Sequence, residues 1–396
     1  VAATFGISEL WDPAVRRDPH AFYDRVRDNP GPVLQIDPAG NRFWVVAGHA
    51  DVLAGLRHPA IGHEVHRHHP GLPEPARHHL AEVARIESRQ LINLDPPDHT
   101  RLRGLVSGAF TARAVARLEP WIGDLADRLV RDARRRGRID AVTHLADPVP
   151  VNVIAELVGI PEADRSRFRA WSAAIVSASA DGPAATLEFG AYLDELAARR
   201  RAAPEDDLVS ELVARSDQAD QLDRDELVAL VQLLLIAGQE TTVDLIVNGL
   251  RLLLTHPAQW RALRDDPSLA DAVVEETLRF RGPVEIVPPR FAFEDVALAG
   301  GVVPAYDRVA LSLWGANRDP AVFDRPHVFD IHRGDVRRHL AFGHGIHFCL
   351  GAHLARLESR IMVERIARQL PDLRLAADPG ALGSFRLHQD GLPLEV

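Results

Sequence analysis

The chain has 396 residues, 46% of them hydrophobic and 26% charged, with a formal net charge of −10. That composition suits a globular protein with a large core, and the acidic balance argues against nucleic acid as a partner. A single Cys excludes an intramolecular disulfide framework and fits a reducing cytoplasm.

No apolar h-region marks the first twenty residues as a signal peptide, and no uninterrupted apolar run approaches the ~18 residues of a membrane span. All 46 basic residues are Arg, from which no function follows. Residues 19–28 predict a short helix, 32–46 a β-hairpin around Asp37-Pro38-Ala39-Gly40-Asn41, and 49–57 another helix. Between His58 and Arg89 periodicity fails. Seven histidines (His58, His63, His66, His68, His69, His78, His79) share that stretch with four prolines. Metal-ligand spacing is present but a rigid frame and a thiol partner are not, so the stretch reads as a mobile loop.

In residues 91–110, Asp98 is placed to cap a helix that sets His99 and Arg103 four apart on one face. Basic residues continue through Arg113, Arg117 and Arg131–Arg138. Residues 139–215 read as helices broken by Pro148, Pro161, Pro183 and Pro204, with 178–189 the weakest stretch for helix. Asp223 and Glu226 form a capping box that opens a helix running to His256-Pro257. About thirty residues at 1.5 Å each give roughly 45 Å, and its apolar character on nearly every face predicts burial. In its middle lies Ala237-Gly238-Gln239-Glu240-Thr241-Thr242. Gly is costly there and buried Glu and Thr need partners, so the segment marks either close helix packing or a site.

Glu276 and Arg279, three apart on a helix, are able to pair. Val284, Glu285, Ile286 and Val287 follow, and Glu285 either faces a pocket or meets backbone amides. Residues 291–319 alternate like small strands, and 385–396 suggest a hairpin around Gln389-Asp390-Gly391. The lone Cys349 sits in Phe342-Gly343-His344-Gly345-Ile346-His347-Phe348-Cys349-Leu350-Gly351, just before a predicted helix over 352–370. A lone Cys is commonly a buried small hydrophobe. Three glycines in nine residues, however, suit a backbone brought close to something, and a helix N-terminus favours the thiolate. Such a thiolate is able to ligate a metal or attack carbon.

The pattern F-G-x-G-x-H-x-C-x-G resembles the haem-binding loop of the cytochrome P-450 family. Residues 95–103 (DPPDHTRLR), the Ala237–Thr242 stretch, Glu276-x-x-Arg279 and Arg333 match further family motifs in the expected order. The resemblance covers nearly the whole chain and is to the soluble bacterial type, in particular polyketide- and macrolide-tailoring members. It implies a mainly α fold with a small β region, residues 1–396 forming one domain that holds haem b. Cys349 is then the axial ligand of the haem iron within a loop that includes Phe342, Gly343 and Gly351. His99, Arg103, Arg290 and His347 hold the propionates. Ala237 and Gly238 leave room for O2, Thr241 hydrogen-bonds the oxygen, and Glu240 belongs to a proton relay. Glu276, Arg279 and Arg333 make a buried network, residues 284–287 pass beside the substrate pocket, and 58–89 cover it.

The activity implied is monooxygenation of a small hydrophobic secondary metabolite by hydroxylation or epoxidation, with oxidative coupling as an alternative. No flavin or iron–sulfur motif accompanies the haem, so electrons are expected from a ferredoxin and its reductase. Arg101, Arg113, Arg337, Arg338 and Arg356 are candidates to dock that acidic partner. A cytoplasmic monomer is expected. Two rivals stay open: a thiol hydrolase using Cys349 with His347, and a haem-binding module without catalysis.

Overall fold

The computed structural model describes residues 5–69, 81–176, 180–219, 222–376 and 391–396, and its longest element is the helix Arg224–Thr255. The capping box forms as expected. The Glu226 backbone N–H donates to Asp223 Oδ1 at 2.9 Å, and the Asp223 N–H donates to Glu226 Oε2 at 3.0 Å, satisfying two otherwise orphaned donors. Its 32 residues span about 48 Å. Leu227–Gln232 and Thr242–Leu250 are buried all round, whereas Ala237 is exposed and Gly238, Glu240 and Thr241 are half-buried. The helix is therefore closed at both ends and open in the middle. It alone among the described residues is long and apolar enough to cross a membrane, and most of that apolar stretch is buried inside the molecule.

Two further helices, Glu119–Arg136 and Ala352–Gln369, pack against each other, and the second also against the C-terminal half of this central helix, in one apolar core. The pairs Arg360–Glu119 and Arg365–Asp127 make them run in the same direction. A second core joins the helices Arg165–Val176, Gly182–Ala202 and Leu208–Ala219 to the N-terminal half.

The β region is small. One sheet has the order β1 (Val33–Ile36), β2 (Arg42–Val46), β8 (Arg308–Leu311), β5 (Arg290–Ala292), β3 (Ile61–Gly62). Only its β2–β8 pair is parallel. The strands β4 (Arg138–Asp140), β10 (Pro393–Glu395) and β9 (Arg374–Leu375) form a second sheet, and β6 (Val296–Leu298) with β7 (Gly301–Val303) a hairpin. The expected β1–β2 hairpin is present, its turn held by Asp37 accepting from the N–H groups of Ala39 and Asn41.

Four expectations are corrected. The stretch 58–89, taken as a loop, includes β3, the short helix Val65–His68 and the helix Ala81–Ser88 among its described residues. Residues 182–189, taken as poor helix, begin the helix Gly182–Ala202, because Pro183 lies in a first turn, where its missing N–H costs nothing. Within 291–319 the strands end at Leu311, and Leu313–Asn317 is helical, capped by Ser312 Oγ accepting from the Gly315 N–H at 3.0 Å. Asp98 does not cap its helix, which starts at Asp98 itself. Its carboxylate is bound by Arg67 at 2.7 Å instead. Of the proposed C-terminal hairpin, 385–390 lie outside the described residues, as do His78 and His79.

Candidate active site

The Cys349 loop is folded by its own backbone. The N–H of Cys349 donates to the Phe342 carbonyl at 2.9 Å and that of Gly343 to the Leu340 carbonyl at 2.8 Å. Gly343 and Gly345 take φ of 68° and 77°, a region open to glycine at no steric cost. At Gly345 a Cβ would also lie 2.8 Å from the Leu56 carbonyl, so a side chain there would push the loop off the helix His49–Arg57. Beneath the loop, the Arg356 guanidinium lies 4.4 Å from the Phe342 ring centre and 2.5 Å from Glu275, which His339 meets at 3.1 Å. Burial of Glu275 opposes ionisation, but hydrogen bonds from His339 and Arg356 prevail and hold its carboxyl at about 2. Cys349 is exposed yet recessed among protein atoms. That crowding pushes its thiol up, against the pull of the Gly351 N–H, Arg103 and Arg356.

Beside the loop, four predicted residues converge. His99 is 1% and Arg290 5% exposed; the ring centres of His99 and His347 are 4.3 Å apart. Arg103 donates to the Phe348 carbonyl at 2.6 Å. Burial, then the neighbouring His63, Arg290, His99 and Arg103, drives His347 down to about 2. Burial likewise lowers His99 and takes Arg290 to about 10. Both ring nitrogens of His99, Nε2 of His347 and Nε of Arg290 are buried without a hydrogen-bond partner. Each such orphan costs about 1–3 kcal/mol. Four at one place, among cationic neighbours, fit the carboxylates of a bound group. A haem, with two carboxylates at one edge and an iron seeking a thiolate, fits this donor set.

On the central helix, Ala237 and Thr241 share a face, and the Thr241 hydroxyl donates to the Ala237 carbonyl at 2.6 Å. Gln239 lies on the opposite face. It accepts from Ser172 Oγ at 2.5 Å and donates to Asp147 Oδ1 at 2.9 Å, tying this turn to the helix Arg165–Val176 and to the start of Pro148–Val158. Sequence reasoning missed Gln239 because both partners are distant in the chain; its polarity inside an apolar helix was the available signal.

The buried network forms. Arg279, fully buried, holds both oxygens of Glu276 at 2.7 Å and donates to the carbonyls of Asn317, Pro326 and Val328. Arg333 approaches Glu276 to 3.4 Å. Val284 and Val287 pack into the core of the larger sheet, while Ile286 and Val287 line a cavity of about 60 Å³ with Leu10, Trp11, Phe43 and Pro289. Glu285 faces neither backbone amides nor a free pocket. Its carboxylate takes Tyr23 Oη at 2.5 Å and Arg16 at 2.9 Å, because the N-terminal helices fold back over it. Of the five candidate docking arginines, Arg101 is committed to Glu226 and Arg356 to Glu275; Arg113, Arg337 and Arg338 are exposed.

Comparison with known proteins agrees with this geometry. The family model "Cytochrome P450" matches residues 191–370, which include both the central helix and the Cys349 loop. The chain is 43% identical over 371 residues to cytochrome P450 monooxygenase PikC of Streptomyces venezuelae, covering 92% of this chain and 87% of the relative. It is also 43% identical over 371 residues to vitamin D(3) 25-hydroxylase of Pseudonocardia autotrophica, covering 93% and 90%. The crystal structure of the myxobacterial cytochrome P450 CYP267B1 in complex with myristic acid superposes with a TM-score of 0.87 at 39% identity, covering 98% of each chain. The chain belongs to the cytochrome P450 family. Its fold is the P450 fold, it is a monooxygenase, and membership implies a haem cofactor.

Proposed function

We propose that the whole chain acts as one domain around haem b, inserting one oxygen atom from O2 into a small hydrophobic secondary metabolite. The observation that carries the reading is the set of buried, unpartnered donors on His99, His347 and Arg290 beside the Cys349 loop. Bound there, haem supplies oxygen activation at an iron whose thiolate ligand favours O–O cleavage. Cys349 is that ligand. Phe342, Gly343 and Gly351 shape its loop, and Arg103, His99, Arg290 and His347 hold the propionates, Arg by its planar fork.

Across the site, Ala237 and Gly238 leave space at the open turn of the central helix. Thr241 offers a hydroxyl now held by the Ala237 carbonyl at 2.6 Å, and Glu240 passes protons inward from solvent. Buried flanks on both sides of that turn limit water to what proton delivery needs. Glu276, Arg279 and Arg333 fix the chain around the site, a use of buried charge that serves architecture more than net stability.

Relatives named for vitamin D(3) and for polyketide biosynthesis support a hydrophobic substrate, a polyketide or macrolide by closest analogy, and hydroxylation or epoxidation as the outcome. Electrons come from a ferredoxin and its reductase in the cytoplasm, to a monomer. The exposed Arg113, Arg337 and Arg338 are the docking charges. Reversing Arg113 and Arg337 to Glu should slow reduction by ferredoxin at least tenfold; an unchanged rate removes that surface.

The test of the reading is the absorption spectrum of the reduced protein under CO. A red-shifted Soret band, lost in Cys349→Ser, supports a haem held by an intact thiolate, after which substrates are screened by spin-state shift. A protein colourless after haem reconstitution refutes it and restores the thiol hydrolase reading.

A further inference from the structure

We propose that His63 is a further donor at the carboxylate end of the site, a third imidazole beside His347 and His99. Three observations meet on it. First, β3 and β5 pair antiparallel with Gly62 opposite Phe291 and Ile61 opposite Ala292. His63 is the first residue after β3 and Arg290 the first of β5, and both lie close enough to His347 to oppose its protonation. Second, the His63 ring stands edge-on to His347 with centres 4.8 Å apart, and His347 in turn meets His99 at 4.3 Å. His63 is itself only 7% exposed.

Third, its backbone is clamped. Asp95 accepts the N–H groups of His63 and Glu64, both at 2.8 Å, while the Asp95 N–H donates to Glu64 at 2.8 Å. The clamp requires Gly62, where a Cβ would lie 2.6 Å from Asp95 Oδ1. Arg67 closes it by bridging Glu64 at 2.8 Å and Asp98 at 2.7 Å. His63 is thereby tied to the segment that leads into His99. A buried imidazole among other imidazoles, with an arginine acting on the same neighbour, gains from an anion within reach.

The inference rests on the haem reading and adds to it that the His-rich segment contributes to binding. The test is the rate at which ferric holoprotein gives up haem to excess apomyoglobin. His63→Phe keeps an aromatic edge against His347 but no donor, and should lose haem about tenfold faster; His63→Gln, which restores a donor, should stay within threefold of the parent. Reconstitution with haem dimethyl ester, which has no ionised carboxylates, should shrink the tenfold difference to less than twofold. A His63→Phe rate equal to the parent's, or a difference undiminished with the ester, overturns the proposal. If His63→Phe does not fold by far-UV circular dichroism, His63→Met takes its place with the same expectations. A parent protein that takes up no haem overturns both this inference and the reading beneath it.

Discussion

Glu358 offers a quantitative test of the core beneath the Cys349 loop. It lies on the helix Ala352–Gln369, 2% exposed, with its Oε2 unpartnered. Its neighbours one turn away, Leu354, Ile361 and Met362, belong to the main apolar core. Burial alone pushes its carboxyl from 4.5 up to about 8. In the folded state Glu358 therefore keeps its proton at neutral pH, while the unfolded chain has released it. A carboxyl raised in this way leaves stability intact below about pH 4.5 and erodes it as pH rises toward 8. Each unit is worth roughly 1.4 kcal/mol, so about 3 kcal/mol is lost by pH 7 and about 4 by pH 8.

Glu358→Gln has nearly the same shape and cannot ionise. Its stability relative to the parent should rise by about 2.5 kcal/mol between pH 5 and pH 7, whatever offset the new amide introduces at pH 5. Urea unfolding of both proteins, followed by far-UV circular dichroism at several pH values, measures that slope. A difference that stays constant from pH 5 to 8 would falsify the claim that Glu358 is buried uncharged.

Three further outcomes are expected. Arg279→Lys keeps the charge but loses the fork that serves Glu276 and three carbonyls; it should cost about 3–5 kcal/mol, seen as a lower urea midpoint. Gln239→Leu strands the Ser172 hydroxyl and the Asp147 carboxylate and should cost about 1–3 kcal/mol. Combined with Ser172→Ala it should fall short of the sum of the singles, and strict additivity in that double-mutant cycle rules out a direct interaction. Gly345→Ala forces a φ of 77° and a Cβ 2.8 Å from the Leu56 carbonyl, so it should lose about 1–3 kcal/mol and take up haem poorly. Uptake and melting temperature equal to the parent's refute that account.

The long helix with its capping box, the β1–β2 hairpin, the Cys349 loop and the Glu276–Arg279 pair were all legible along the chain. In each the decisive interaction spans a few residues: Asp223 with Glu226, Asp37 with Asn41, Cys349 with Phe342, Glu276 with Arg279. Local chemistry repeats at fixed spacing, and spacing is what a sequence displays. Arg333 was reached by family pattern alone, and the helix at Gly182 was missed because Pro183 was weighed as a breaker when its first-turn position makes it a starter.

Other features depended on residues far apart in the chain. Glu285 meets Arg16 and Tyr23 across more than 260 residues, Gln239 joins Ser172 and Asp147, and His63 comes to face His347. The sheet pairs two-residue β3 with β5, some 230 positions later, and no local rule selects that partner. Such contacts carry no fixed spacing, since loop-closure entropy grows only slowly with separation and burial rewards any partner that completes the core. The chain order thus specified which chemical groups are present and how each local turn is made. Packing decided which distant groups stand together, as His63 does with His347 and Gln239 with Ser172 and Asp147.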